Sequence, residues 1–370
     1  MPFIAFSSKG GSVEEIFENP QHPYTQSLLA VVPKLGEMTG KTAPEPMRLL
    51  NAAPRGEGSI LPKSDTVLLD VKNLVTRFPV KGGFFRRTVA NVHAVEAVSF
   101  QVKSGETPSL VGRSGCGKSS CGRSILRLIE PQSGEVWLNG TNIMDYDQTE
   151  LRTARREMQT VFQDPFASLN PQMKLADRVA EPMLNYGLGT SDERRERLAQ
   201  LFDRVELPRS FLGRYPHELS GGQRQRIAIA RALALNPSLI IADEAVAALD
   251  VSAQAHVLDL IMELQAELGV SILFIGHDMA VVERVSHTVG VMYMGRIVEL
   301  GSRAAIFEDP RHEYTQALLK AVPVADPRRR KSERDLNFEP IPSPIFPLDH
   351  VPGPSVYDEV TPGHFVLKPE

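Results

Sequence analysis

The sequence predicts an α/β fold with a mostly parallel core sheet and a helical insertion. Three observations carry that expectation. From Val67 to about Phe307, short apolar runs (VLLDV, SLIIAD, SILFIG, VGVMY) alternate with helical stretches, the order that parallel strands joined by crossover helices require. One such run, SLVG, leads into a glycine-rich segment and then the helical run CGRSILRLIE. Between about residues 164 and 233 the strands give way to helix-period patterns, at 174–186, 191–206 and 221–234.

Composition bounds what the fold can serve. The 370 residues are 42% hydrophobic and 23% charged, which suffices for one large core or two smaller ones. A net charge of -4 and a pI near 6.2 give no field for holding nucleic acid or an anionic bilayer, so no nucleic-acid partner is expected. No run approaches the roughly 18 apolar residues that span a bilayer. The opening MPFIAFSSKGG lacks a basic start followed by a long apolar stretch. The chain is therefore expected in the cytosol, with any membrane contact made through a protein. Cys116 and Cys121 are too few for a disulfide framework and read as reduced thiols.

An internal repeat organises the chain. GSVEEIFENPQHPYTQSLLAVVP at 11–33 matches GSRAAIFEDPRHEYTQALLKAVP at 301–323 in 14 of 23 positions, His22/His312 and Tyr24/Tyr314 among them. A solenoid would carry further copies between them, and none is found. The second copy closes the domain that begins near Val67, so residues 1–35 read as the end of an upstream domain, and the chain as a fragment or truncated relative of a longer protein. Residues 36–66, with Pro44, Pro46, Pro54 and Pro62, read as a linker, residues 67–325 as the main domain, and 326–370 as a C-terminal extension. That extension opens on a basic run, RRRK, and only its closing GHFVLKP suggests a strand.

Three motifs carry chemistry. Gly112-Arg113-Ser114-Gly115-Cys116-Gly117-Lys118-Ser119 fits the phosphate-loop pattern in its required setting, after a strand and before a helix. Its glycines let backbone N–H groups, with Ser120 in the first helical turn, converge on phosphate oxygens. Lys118 reaches the terminal phosphates and the Ser119 hydroxyl ligates Mg²⁺. Leu239 to Glu244 is an apolar strand ending in two carboxylates. Asp243 is placed to hold the ion and Glu244 to polarise an attacking water. Leu219-Ser220-Gly221-Gly222-Gln223 opens the helix RQRIAIARALAL.

With this last motif the sequence resembles the ABC ATPase family, over nearly all of 67–325. The resemblance implies a P-loop NTPase of ABC ATPase type, with an antiparallel β subdomain beside the core sheet and a helical subdomain at about 164–233. It implies ATP and Mg²⁺ as cofactors. Ser220, Gly221, Gly222 and Gln223 would face the γ-phosphate of ATP bound by a second ABC ATPase domain, head to tail with the first. Gln163 in VFQDP matches the Q-loop, also a ligand of Mg²⁺, Asp250 the D-loop, His277 in FIGHD the switch histidine, and Phe78 in TRFP the aromatic residue that stacks on adenine. RFPVKGGFFRR, QDPFASLNP and HPYTQSLL look like the branch that imports peptides (oligopeptide, dipeptide, glutathione) and nickel. Some members of it carry two ATPase domains in one chain, which would make residues 1–35 the tail of an upstream ABC ATPase domain. Such subunits sit peripherally on the cytoplasmic side of the membrane under two transmembrane permeases, served by an extracytoplasmic substrate-binding protein. A soluble or non-hydrolysing ABC ATPase with a regulatory or structural role stays open as the alternative.

The sequence departs from the family in three places. Pro108 stands at the start of the strand feeding the phosphate loop, where an apolar residue with an N–H is usual. Gly276 and Ala247 replace serines beside the switch histidine and in the D-loop, which predicts weaker coupling between the two sites. No cysteine follows Cys121, so an iron–sulfur cluster is not expected. Cys116, among loop amides at a helix start, is expected to have a depressed pKa, to inactivate on thiol modification, and to be protected by Mg-ATP.

Overall fold

The computed structural model describes residues 16–17, 19–46, 64–82, 84–163, 170–322 and 343–369. Helix α1 (Pro23–Val31) precedes a long hairpin, β1 (Val67–Gly82) and β2 (Arg87–Lys103). Then come β3 (Pro108–Val111), α2 (Lys118–Ile125), β4 (Ser133–Leu138), β5 (Thr141–Asn142), α3 (Gln148–Glu157) and β6 (Met158–Val161). The helical stretch holds α4 (Leu175–Asn185), α5 (Ser191–Arg204) and α6 (Gly221–Leu233). Strand and helix then alternate through β7 (Leu239–Asp243), α7 (Val251–Leu268), β8 (Ser271–Gly276), α8 (Met279–Val285) and β9 (Thr288–Tyr293). The chain continues with β10 (Arg296–Ser302), α9 (Arg303–Glu308), α10 (Glu313–Ala321), β11 (Ile345–Pro347), β12 (Tyr357–Thr361) and β13 (His364–Leu367).

These strands make two sheets. The larger runs β12-β13-β10-β9-β3-β8-β7-β6, and its β6-β7-β8-β3-β9 part is parallel throughout. Every residue of β3, β7 and β8 is buried, as befits parallel strands covered by helices on both faces, whose sequences become continuous apolar runs. The smaller sheet is antiparallel, in the order β11-β2-β1-β4-β5. In β2, buried Val98, Phe100 and Val102 alternate with exposed Ser99 and Gln101, so one face of it packs inward and the other is wet. The run VLLDV thus belongs to the antiparallel sheet and not to the parallel one, a distinction that a short apolar run does not carry because its pairing partner is unwritten.

Two cores follow from this division. One gathers α4 to α7 against one face of the parallel sheet, with Phe202, Leu201 and Ile227 wholly buried. The other lies between the antiparallel sheet and α2, around Leu69, Leu74, Val95 and Ile125. The phosphate-loop helix is therefore seated between the two sheets.

The flanking segments are not free arms. In the stretch read as a linker, residues 36–46 lie on α8 and α9, with Met38 only 1% exposed. The Gly36 N–H donates to Glu283 Oε2 at 2.7 Å, and Arg284 donates to the carbonyls of Glu45 and Pro46 at 3.0 and 2.6 Å. The rest of it, 47–63, lies outside the described residues, as do 1–15 of the upstream segment. The RRRK run (328–331) lies outside them as well. The closing GHFVLKP does form a strand, β13, which pairs with β12 and β10. Upstream of β12 and β13, β11 adds an edge to the other sheet through β2.

Candidate functional site

The phosphate loop joins β3 to α2. Gly117 caps the helix at φ +109°, and a Cβ there would stand 1.9 Å from the Ala94 carbonyl oxygen, so only glycine fits. Arg113, Ser114 and Gly115 are exposed, whereas Lys118 is 3% exposed. Its ammonium donates to the carbonyls of Gly112 at 2.8 Å and Arg113 at 3.0 Å. Ser119 and Ser120 follow in the first turn of α2. Phe78, half-buried on β1, pairs with Val92 of β2. Two residues back, Thr76 meets Ser124 of α2 at 2.7 Å, Oγ1 to Oγ.

The carboxylate pair meets this loop from β7. The Ser119 hydroxyl donates to Asp243 Oδ1 at 2.6 Å, and Arg123 Nη2 stands 3.8 Å from Asp243 Oδ2. Just beyond the strand, Glu244 turns through a left-handed backbone conformation, φ +48°, while its N–H donates to the Ile275 carbonyl of β8 at 2.9 Å. Its buried carboxylate accepts from Gln163 Nε2 at 2.6 Å, and His277 Nδ1 lies 3.7 Å from its other oxygen. Lys118, Ser119, Asp243, Glu244, Gln163 and His277 thus form one connected cluster at the C-terminal ends of β3, β6, β7 and β8. The residues after Gln163, 164–169, lie outside the described residues.

The signature serine and glycines open α6. Ser220 caps α6 through a reciprocal pair with Gln223: its Oγ accepts the Gln223 N–H at 3.3 Å, and Gln223 Oε1 accepts the Ser220 N–H at 3.0 Å. Ser220 is exposed. A Cβ on Gly222 would stand 2.9 Å from the Ala253 Cβ, and one on Gly221 3.4 Å from a Leu249 methyl, so the motif abuts the D-loop and the start of α7. Asp250 caps α7, accepting the Ala253 N–H at 2.9 Å. The signature thus touches the D-loop and the start of α7, and the D-loop in turn follows Glu244, whose carbonyl accepts the Ala247 N–H at 3.1 Å.

The profile of the ABC transporter family matches residues 95–247, and that of the oligopeptide/dipeptide transporter C-terminal region matches 10–56 and 298–343. The ATP-binding cassette MJ0796, in a dimeric post-hydrolysis state bound to ADP and Pi, is 30% identical. The match covers 64% of this chain and 98% of that one, with a TM-score of 0.55. This chain belongs to the ABC transporter ATPase family. Another ABC relative, cbiO1 from Clostridium perfringens, is 28% identical over 66% of this chain and 91% of its own, with a TM-score of 0.57. Among curated proteins, the glutathione import ATP-binding protein of Salmonella typhimurium strain LT2 is 50% identical over 97% of this chain, and that of Pectobacterium atrosepticum likewise. This ABC chain spans 58 to 59% of the length of those relatives. Among the described residues no helix is long and apolar enough to cross a membrane.

The departures from the ABC pattern have local reasons. Pro108 is the first residue of β3, and the residue before it, Thr107, accepts the His287 backbone N–H at 2.9 Å and donates its own N–H to His287 Nδ1 at 3.0 Å. At Gly276 a Cβ would come 3.0 Å from the Phe274 ring, so the aromatic residue fills the space a serine would need. Ala247 is exposed.

Cys116 overturns an expectation. Its side chain is buried, and that burial pushes the thiol pKa up, against the opposing pull of Lys118. The helix-start argument failed because the thiol is buried, and loss of water outweighs both the nearby Lys118 charge and the loop N–H groups that reach the sulfur. Arg123 and Tyr314 were missed altogether. Arg123 follows Ser119 by four residues, so helical spacing alone puts both on one face of α2. Tyr314 had a signal too, its recurrence in the repeat, but nothing in that recurrence says what it touches.

Proposed function

We propose that this chain is the ATP-hydrolysing subunit of a peptide importer, working as one of two cassettes that close head to tail over two ATP molecules. The observation that carries this reading is the Glu244 carboxylate. It is held between the Gln163 amide and the His277 ring, at the end of the strand whose Asp243 touches Ser119 of the phosphate loop.

When ATP enters, Lys118 exchanges two carbonyl acceptors for phosphate oxygens, acceptor for acceptor. Ser119, Ser120 and the loop amides of Gly112 to Gly117 surround the phosphates, and Phe78 supplies a ring for adenine. Glu244 takes a proton from water as its oxygen attacks the γ-phosphorus, and the bond from that phosphorus to the ADP oxygen breaks. Gln163 and His277 orient the carboxylate, the water and the γ-phosphate. The hydroxyl and carboxylate oxygens of Ser119 and Asp243, with Gln163 nearby, suit Mg²⁺, a hard ion that prefers oxygen donors and few protein ligands. Bound there, it would neutralise phosphate charge. Ser220, Gly221, Gly222, Gln223 and Asp250 complete the site of the opposite cassette, a reading that the exposure of Ser220 at the start of α6 supports.

The relatives named for glutathione import support small peptides as cargo, and the matches of 10–56 and 298–343 to one C-terminal profile support reading residues 1–35 as equivalent to the closing segment of a cassette. The partners proposed are two transmembrane permeases, a second ABC ATPase domain, and indirectly an extracytoplasmic substrate-binding protein, with the chain on the cytoplasmic face of the inner membrane.

Phosphate release by the purified chain, wild type against Glu244→Gln, tests the chemistry. The variant should hydrolyse roughly 100- to 10,000-fold more slowly while still binding ATP. Equal rates in the two proteins would sink the assignment. Co-purification of transmembrane permeases with the chain from its native membranes tests the transport role, and their absence from the complex would count against an importer.

A further inference from the structure

Tyr314 lies in the second copy of the repeat, 201 residues along the chain from Arg113, yet its hydroxyl oxygen accepts the Arg113 backbone N–H at 3.0 Å. That N–H belongs to the peptide unit whose carbonyl, Gly112 O, accepts Lys118 Nζ at 2.8 Å. A peptide unit is planar, with its N–H and C=O pointing opposite ways, so fixing one end fixes the other. The tyrosine thereby sets the direction of the carbonyl on which the phosphate-binding lysine rests.

The ring is itself held from several sides. It is 3% exposed and lies 4.4 Å, centroid to centroid, from the Tyr293 ring at the end of β9. The Tyr314 N–H donates to His312 Nδ1 at 3.0 Å. Glu299, fully buried on β10, accepts the N–H groups of Arg311 at 2.8 Å and His312 at 3.1 Å, and meets His364 Nε2 of β13 at 2.8 Å. Burial pushes the Tyr314 phenol up to about 12, which keeps it a neutral hydroxyl across the physiological range.

We propose that Tyr314 is a positioning residue for the phosphate loop: from the C-terminal repeat it clamps the Gly112–Arg113 peptide, so that the loop amides and Lys118 are preset for the phosphates of ATP. It touches no nucleotide and acts through Arg113 and Lys118. The inference rests on the reading of this loop as the ATP site. It also gives the repeat unit a task inside the cassette. Glu244, Gln163 and His277 are positioned by β6, β7 and β8, so loss of the clamp acts on binding and leaves the hydrolytic step intact.

Tyr314→Phe keeps the ring and its packing and removes only the hydroxyl. The expected result is a KM for ATP raised about two- to tenfold, the range one hydrogen bond supplies, with kcat within about twofold. In the same variant the Arg113 amide should exchange with deuterated solvent about two- to tenfold faster, a readout that does not depend on turnover. An unchanged KM together with unchanged exchange at Arg113 would overturn the proposal, as would a fall in kcat alone. Wild-type protein that fails to bind ATP would instead overturn the reading of the loop as a nucleotide site, a failure visible without any variant.

Discussion

Glu244 occupies a backbone conformation that costs a non-glycine residue about 1 to 3 kcal/mol, and the surrounding bonds to Ile275 and Gln163 hold it there. Strain of this kind is expected where a side chain must be aimed. At Cys116 the aim is inward, and the raised thiol pKa has a measurable result. At pH 7.5 the thiolate fraction is smaller than in a free cysteine, so alkylation by iodoacetamide should run at least about tenfold slower than in the unfolded chain. A mass-spectrometric time course gives the rate, and rapid labelling of native protein would contradict the burial. Lys118, Ser119, Asp243 and Glu244 were legible in the sequence, because residue type and spacing suffice to name a phosphate loop and an acidic strand end. What spacing leaves out is direction. The inward Sγ of Cys116 and the carbonyls on which Lys118 rests depend on packing around the loop, which no local pattern encodes.

At the level of elements, the contact between α6 and α7 decides where the signature stands. Gly222→Ala would drive a methyl to 2.9 Å from the Ala253 Cβ. Overpacking of that kind costs about 1 to 3 kcal/mol and pushes the signature helix away from the D-loop. Thermal melting should report the loss, and ATP turnover should fall while nucleotide binding to the isolated chain persists. A second element, β11, has a pH-dependent hold. It lies beside His93, whose ring meets Phe346 at 4.8 Å and His350 at 5.6 Å, and whose Nδ1 is 2.9 Å from Glu96. Burial first, and Arg77 second, depress the His93 pKa below its ordinary 6.5. The unfolded chain therefore takes up a proton as pH falls below about 6.5 while the folded chain does not, so stability is full above that value and declines on acidification. A melting temperature that falls between pH 7 and 5.5, less so in His93→Asn, is the expected outcome. The helices at 174–186, 191–206 and 221–234 were readable from their period to within a few residues. β11 was not, because SPIFPLDHVPGPS is a proline-rich stretch whose strand character comes from pairing with β2 alone.

For the whole molecule, the reading of an exposed signature that serves the opposite nucleotide predicts that the active form has two cassettes. Glu244→Gln with ATP should double in mass by light scattering, and the wild type should return to single chains as ATP is consumed; a variant that stays single with saturating ATP would contradict the shared site. The order of motifs made the family readable, and the alternation of strand and helix made the parallel sheet readable. The docking of residues 36–46 was not, because proline and glycine announce a loop without saying whether Glu283 and Arg284 wait to anchor it. The tail strands have a consequence of their own. β11 covers the outer backbone of β2, and β13 with β12 covers that of β10. A protein cut short at residue 342 would bare hydrogen-bonding groups along one margin of each sheet at once, two ready templates for adding strands from other molecules. Its first symptom should be filamentous or amorphous precipitate at concentrations where the intact chain stays clear.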